Sequence, residues 1–247
     1  MTSISNNSGM KKAIVIGATS GIGREIALLL AKNGYKVGAT GRRSELLNDL
    51  ARQSGCAIHT AAFDIAAPDA LTRLNELIHT LNGLDLLLFS SGTGHLNPEL
   101  SPEKETETNR LNVDAFTRII DRVYAHFAQQ GTGHIAVLTS VMGLRGSGMA
   151  PAYAASKAYQ INYLEGLQQK AAREKSGIAV TDLRPGSMDT AMMKGDGHFW
   201  ISSPEQAAQV ILRAIRKKKR VQYVTPRWRF IGSLLKISPK FIHRKMQ

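Results

Sequence analysis

Short apolar runs alternate along this chain with longer segments in which apolar side chains recur every three or four positions. The runs occupy 12–17, 35–40, 58–63, 84–89, 134–139, 178–183 and 221–224. A short apolar run without strict alternation is what a strand buried on both faces requires. The longer segments cover 22–32, 44–53, 70–81, 102–129, 152–175 and 204–216. Their spacing gathers the apolar residues on one helical face. Their ends carry helix signals: Ser44 as a cap, Pro68-Asp69 before the third segment, Asn33-Gly34 after the first. Strands alternating with helices of this length predict an α/β fold, a doubly wound sheet of about seven parallel strands with helices on both faces. Ligands of such sheets sit at the carboxyl ends of the strands. Gly17, Arg42, Asp64, Gly92, Ser140 and Pro185 all fall there, so one site can collect them.

Composition narrows the picture without changing it. At 247 residues and 43% apolar content the chain fits one large α/β domain, and no linker-like stretch or internal repeat divides it. A lone cysteine, Cys56, cannot form an internal disulfide and suits a reducing compartment, so a cytoplasmic location is expected. Residues 1–10 lack the apolar core of a signal peptide and are expected to form a disordered tail. No run approaches the roughly 20 apolar residues that span a bilayer.

The net charge of +13 is concentrated rather than general. Arg213, Arg216, Lys217, Lys218, Lys219, Arg220, Arg227, Arg229, Lys236, Lys240, Arg244 and Lys245 supply twelve positive charges, and no acidic residue follows Glu205. Within 226–247, Trp228, Ile231, Leu234, Leu235 and Ile242 recur at nearly helical spacing among these cations. That pattern describes a basic amphipathic extension. It suits contact with a membrane surface, cover for the site, packing against another subunit, or plain solvation. No nucleic-acid module accompanies the charge, and neither nucleic acid nor metal is expected as a ligand.

The candidate chemistry begins at the first turn, Gly17-Ala-Thr19-Ser20-Gly21-Ile22-Gly23. Glycines between a buried strand and a helix let backbone approach a pyrophosphate, which then meets the free N–H groups of the helix start. The second strand ends in Gly41-Arg42-Arg43, where an enzyme using NAD places an acidic residue on the ribose. A guanidinium there suits a 2′-phosphate, so NADP(H) is the expected cofactor, with Arg42 the principal contact and Arg43 a second candidate. The alternative is that both arginines are solvated loop charges.

Tyr153 and Lys157 stand one helical turn apart, with Ser140 thirteen residues upstream of the tyrosine. A lysine at i+4 faces the tyrosine. Its charge favours the phenolate, bringing a group of pKa about 10 toward working pH. This is chemistry for moving a proton onto or off an alcohol oxygen.

With the glycine turn, Ser140, Tyr153 and Lys157 in register, the chain resembles the short-chain dehydrogenase/reductase family from about residue 11 to 225. Asn112, Asp64 with Ile65 beside it, and Pro185-Gly186 match further motifs of that family. The resemblance implies a Rossmann-type fold and hydride transfer between nicotinamide and a carbonyl or secondary alcohol. Tyr153 would be the proton donor, Ser140 its partner on the substrate oxygen, and Lys157 would also hold the nicotinamide ribose. Asn112 would hold a water beside Lys157. Asp64 and Ile65 would lie at the adenine, and Thr190 and Met188 at the carboxamide side. Where the family carries Asn-Asn-Ala-Gly, this chain has Phe89-Ser90-Ser91-Gly92, which keeps the glycine and small polar side chains but not the asparagine bracing.

The resemblance makes 187–202 a substrate loop whose Met188, Met192, Met193, Phe199 and Trp200 would close over a moderately hydrophobic substrate or pack inward. It also implies a homodimer or homotetramer. Two other readings use the same fold: a non-catalytic NADP(H) sensor and a membrane-recruited scaffold.

Overall fold

The seven apolar runs pair into one parallel sheet in a computed structural model that describes residues 10–186, 203–225 and Trp228. The strands are β1 (Lys12–Ile16), β2 (Lys36–Gly41), β3 (Ile58–Ala62), β4 (Leu86–Phe89), β5 (Gly133–Leu138), β6 (Ile178–Arg184) and β7 (Val221–Tyr223), in the order β3-β2-β1-β4-β5-β6-β7. Their connections are α1 (Gly21–Lys32), α2 (Ser44–Gln53), α3 (Ala70–Leu81), α4 (Pro102–Asn109), α5 (Phe116–Gln130), α6 (Pro151–Glu174) and α7 (Pro204–Arg216). The expected doubly wound architecture is therefore present.

Alternate strand residues serve two cores. Ile14 and Ile16 of β1 face α3 and α5, together with Phe89, Val137, Phe116 and Leu164. Ala13 and Val15 face the other way, against Ile26, Leu30, Leu47 and Ile211 of α1, α2 and α7. A strand covered on both faces must be apolar at every position, which is why these runs show no polar alternation.

The expected helix over 102–129 is interrupted. Residues Arg110–Ala115 form a π-turn between α4 and α5, with Asn112 in it. Such wide turns recur at functional sites because they shift backbone and side chains off the regular ladder.

Some polar groups within the sheet pair across strands. His134 lies beside Thr181 on the next strand, Nε2 to Oγ1 at 2.8 Å, and the Thr181 hydroxyl donates to the Lys219 carbonyl at 2.6 Å. Since that hydroxyl's only proton is spent, His134 must donate to it from Nε2. Burial, helped by the nearby Lys218 charge, pushes the imidazole down to about 4. The unfolded imidazole, near the ordinary value, binds the extra proton as pH falls below about 6.5. Folding stability from this residue is thus complete above about 6.5 and is lost as pH falls toward the folded value. Urea unfolding should find the protein about 2 kcal/mol less stable at pH 5 than at pH 7.5 on this account alone. His134→Gln, which keeps a donor for Thr181 but does not titrate, should remove that part of the difference; an unchanged difference would refute the assignment.

Candidate active site

The carboxyl ends of β1, β2 and β4 converge on the glycine-rich turn. The Thr40 carbonyl at the end of β2 accepts the N–H groups of Gly17 and Ala18, at 3.0 and 2.8 Å. Gly17 has a φ of 86°, and a Cβ there would stand 2.7 Å from the backbone nitrogen of Ser91. Only glycine allows both that conformation and that approach of the two loops. Helix α1 then starts with no side-chain cap, leaving its first-turn N–H groups facing outward from the turn. This cradle fits a pyrophosphate.

Arg43 stands over the turn, its guanidinium donating to the Thr19 hydroxyl at 2.6 Å and the Ser20 hydroxyl at 2.9 Å. Arg42 is exposed on the same loop. Both arginines are exposed, and Arg43 is the one bonded to side chains of the turn. Asp64 follows β3, its Oδ1 accepting the Ala66 N–H at 2.9 Å and its Oδ2 lying 3.7 Å from the Arg110 guanidinium. Ile65 is buried next to it, and Ser90, Ser91 and Gly92 line the loop after β4.

The second half of the site is built on α6. Tyr153 and Lys157 lie on one face, the Lys157 Nζ 5.9 Å from the centre of the tyrosine ring. Lys157 is only 4% exposed, and its ammonium donates to the Leu138 carbonyl at 3.1 Å and to Gln160 Oε1 at 2.9 Å. Burial pushes it down to about 8, with the Asp182 carboxylate opposing. Ser140, at the end of β5, hydrogen-bonds the Tyr153 hydroxyl and accepts the Met142 N–H at 3.1 Å, which starts a short 3-10 turn over Val141–Leu144. Burial pushes the Tyr153 phenol up, with the Ser140 bond opposing. The lowering expected from Lys157 does not prevail here, because burial drives both groups toward their neutral forms.

Asn112 is fully buried and joins three segments. Its Nδ2 donates to the Thr93 carbonyl at 2.7 Å and to Ser156 Oγ at 3.0 Å, and its Oδ1 accepts the Thr93 N–H at 3.0 Å. The Asn112 backbone carbonyl accepts from Gln160 Nε2 at 2.9 Å. The Pro185 carbonyl takes the Val141 N–H at 3.1 Å, so the Pro-Gly turn closes the far side. Met188 and Thr190, with the rest of the loop over 187–202, lie outside the described residues.

The family model for short chain dehydrogenases matches residues 11–198. The chain belongs to the short-chain dehydrogenase/reductase family. It is 32% identical to an uncharacterised oxidoreductase of Myxococcus xanthus over 182 residues, 71% of each protein. An uncharacterised oxidoreductase of Staphylococcus aureus is 28% identical over 218 residues, 85% of this chain and 93% of the relative. Among solved structures, a 3-ketoacyl-(acyl-carrier-protein) reductase from Brucella melitensis complexed with NADH superposes with a TM-score of 0.78 at 22% identity, covering 86% of this chain and 95% of that one. The apo form of LigD from Sphingobium sp. strain SYK-6 gives 0.79 at 21% identity, over 93% and 98%. The protein is therefore an oxidoreductase of this family, and the fold implies a nicotinamide cofactor.

Several residues of this short-chain enzyme were missed from sequence. Gly94 packs on Tyr153 so closely that any Cβ would collide with the ring. Trp228 lays its indole on Gly186, where a Cβ would likewise collide, and its Nε1 is buried with no hydrogen-bond partner among the described residues. Asp182 is paired with Arg184 at 2.6 Å inside β6 and accepts from Thr139 at 2.5 Å. Two charges in an otherwise apolar strand were the available signal. His95, by contrast, pairs with Glu107 at 3.0 Å at the surface.

Asn112→Ala should leave the Thr93 N–H and C=O without their partner. A loss of about 2–4 kcal/mol in urea unfolding is expected, with faster proteolysis in the segment 92–100. Wild-type stability in that variant would show that Asn112 does not brace the loop.

Proposed function

We propose that this protein is an NADP(H)-dependent carbonyl reductase or alcohol dehydrogenase acting on a moderately hydrophobic ketone, aldehyde or secondary alcohol. The observation that carries this is the set of buried Ser140 and Lys157 with half-buried Tyr153 at the carboxyl edge of the sheet, beside the glycine cradle. Nicotinamide, when bound, supplies or accepts the hydride. In reduction, Tyr153 gives its phenolic proton to the substrate oxygen as negative charge builds there. Ser140, already bonded to the Tyr153 hydroxyl, donates to the same oxygen and orients the carbonyl. The Lys157 ammonium stabilises the phenolate left behind. A nucleotide sensor has no use for this proton machinery.

Preference for NADP(H) rests on Gly41 at the end of β2, where a carboxylate would bind an unphosphorylated ribose, and on the two arginines after it. Arg43, held on Thr19 and Ser20, is the principal 2′-phosphate contact, and exposed Arg42 the second. The Brucella reductase is complexed with NADH, so the fold alone does not choose between the two cofactors. A substrate loop at 187–202 and a homodimer or homotetramer complete the reading, and the basic extension at 226–247 suits membrane contact, packing on the domain or solvation alike.

Nicotinamide absorbance should report turnover across a panel of hydrophobic carbonyl compounds with NADPH. Tyr153→Phe should lower kcat about 100-fold or more while NADPH binding stays near wild type. Appreciable turnover in that variant would end the proton-donor role. Arg43→Asp should raise the Kd for NADPH about tenfold or more, which is about 1.4 kcal/mol, and spare NADH. If neither Arg43→Asp nor Arg42→Asp changes NADPH affinity, the cofactor preference is wrong.

A further inference from the structure

Gln160 lies three residues beyond Lys157 on α6 and has no exposed surface. A primary amide in that position is costly unless both of its ends are bonded. Both are: Nε2 donates to the Asn112 carbonyl and Oε1 accepts from the Lys157 ammonium, each at 2.9 Å. The orientation is chemically fixed, because a carbonyl can only accept and an ammonium only donate. Leu138 takes a second N–H of Lys157 at 3.1 Å. One N–H is left for the open side, where Gly92 lies: a Cβ there would stand 3.4 Å from Nζ and 3.2 Å from Asn112 Oδ1.

We propose that Gln160 is a positioning residue for the reaction: its amide ties the Lys157 ammonium to the Asn112 backbone, aims the remaining N–H at the Gly92 side of the site, and holds the lysine in its charged form. The catalytic part of this rests on the function proposed above. Lys157 faces Tyr153 on its own helix and Asp182 on β6, itself paired with Arg184. Around it β5 presents Leu138, the π-turn presents Asn112 and the loop after β4 presents Gly92, none of which titrates. Burial drives the ammonium toward neutrality, so the oxygen of Gln160 works with Asp182 against that drift. A leucine at 160 would fill the space and supply no acceptor; a glutamate would supply a charged one.

The test is an NMR titration of the full chain, cofactor-free and labelled with ¹³C-lysine, with the Lys157 signal identified by its loss in Lys157→Met. Gln160→Leu should lower the Lys157 midpoint by about one pH unit, and Gln160→Glu should raise it by about one unit or more. The alkaline limb of the kcat profile should move in the same directions. Midpoints unmoved in both variants, or moved the same way in both, would overturn the proposal. Should the leucine variant fail to fold, the isosteric glutamate variant decides alone: its midpoint rises or the proposal falls. The lysine titration needs no turnover. A wild-type protein without reductase activity would therefore sink the function proposed above and leave this result standing.

Discussion

The position of β1 between β2 and β4 is the constraint from which the rest of the molecule follows. Chain leaving β1 crosses to one face of the sheet and chain leaving β4 to the other, so the two exits separate and leave a crevice. The loops still meet at its floor, where Gly17 touches Ser91 backbone to backbone. That contact sets the depth of the nucleotide cradle. It also sets how far the loop through Gly92 and Thr93 reaches toward α6. Asn112 grips this loop from the π-turn, and Tyr153 and Lys157 approach it from α6. The cofactor half and the proton-transfer half are thus two walls of one crevice.

The electrostatics of the crevice come from what the core can tolerate. Asp182, Arg184 and Lys157 are all buried at the carboxyl end of the sheet. Unpaired charges at such depth would cost several kcal/mol each, and here each has named partners. Asp182 has Arg184 and Thr139; Lys157 has Leu138 and Gln160. These pairings make the buried charges bearable rather than the fold strong.

Sheet, helices and the placing of Tyr153 beside Lys157 could be read from the chain because they depend on local rules. A strand covered on both sides is apolar throughout, and a helix brings i and i+4 together wherever it packs. What could not be read depends on contacts between distant segments. The π-turn at 110–115 follows an α4 that buries only Thr108, so there is no apolar repeat before it whose break would betray the turn. Arg42 and Arg43 are indistinguishable as letters, and the direction of the chain leaving β2 decides which one lies on Thr19 and Ser20. Gln160 reads as a polar residue on a long helix until Asn112, 48 positions earlier, is seen across from it. Gly94 and Gly186 look like loop punctuation, yet each leaves room for an aromatic ring.

Lys157 shows what a working site asks of the protein that carries it. A chain kept only for its shape would be more stable with methionine or leucine at that place, since neither carries a charge to strip of water. Random substitution favours such exchanges wherever nothing opposes them. The fold would survive the change, Gln160 would lose its reason to be buried, and Asp182 would be left facing an apolar neighbour. Lys157 is thus a buried charge that the shape of the fold does not call for.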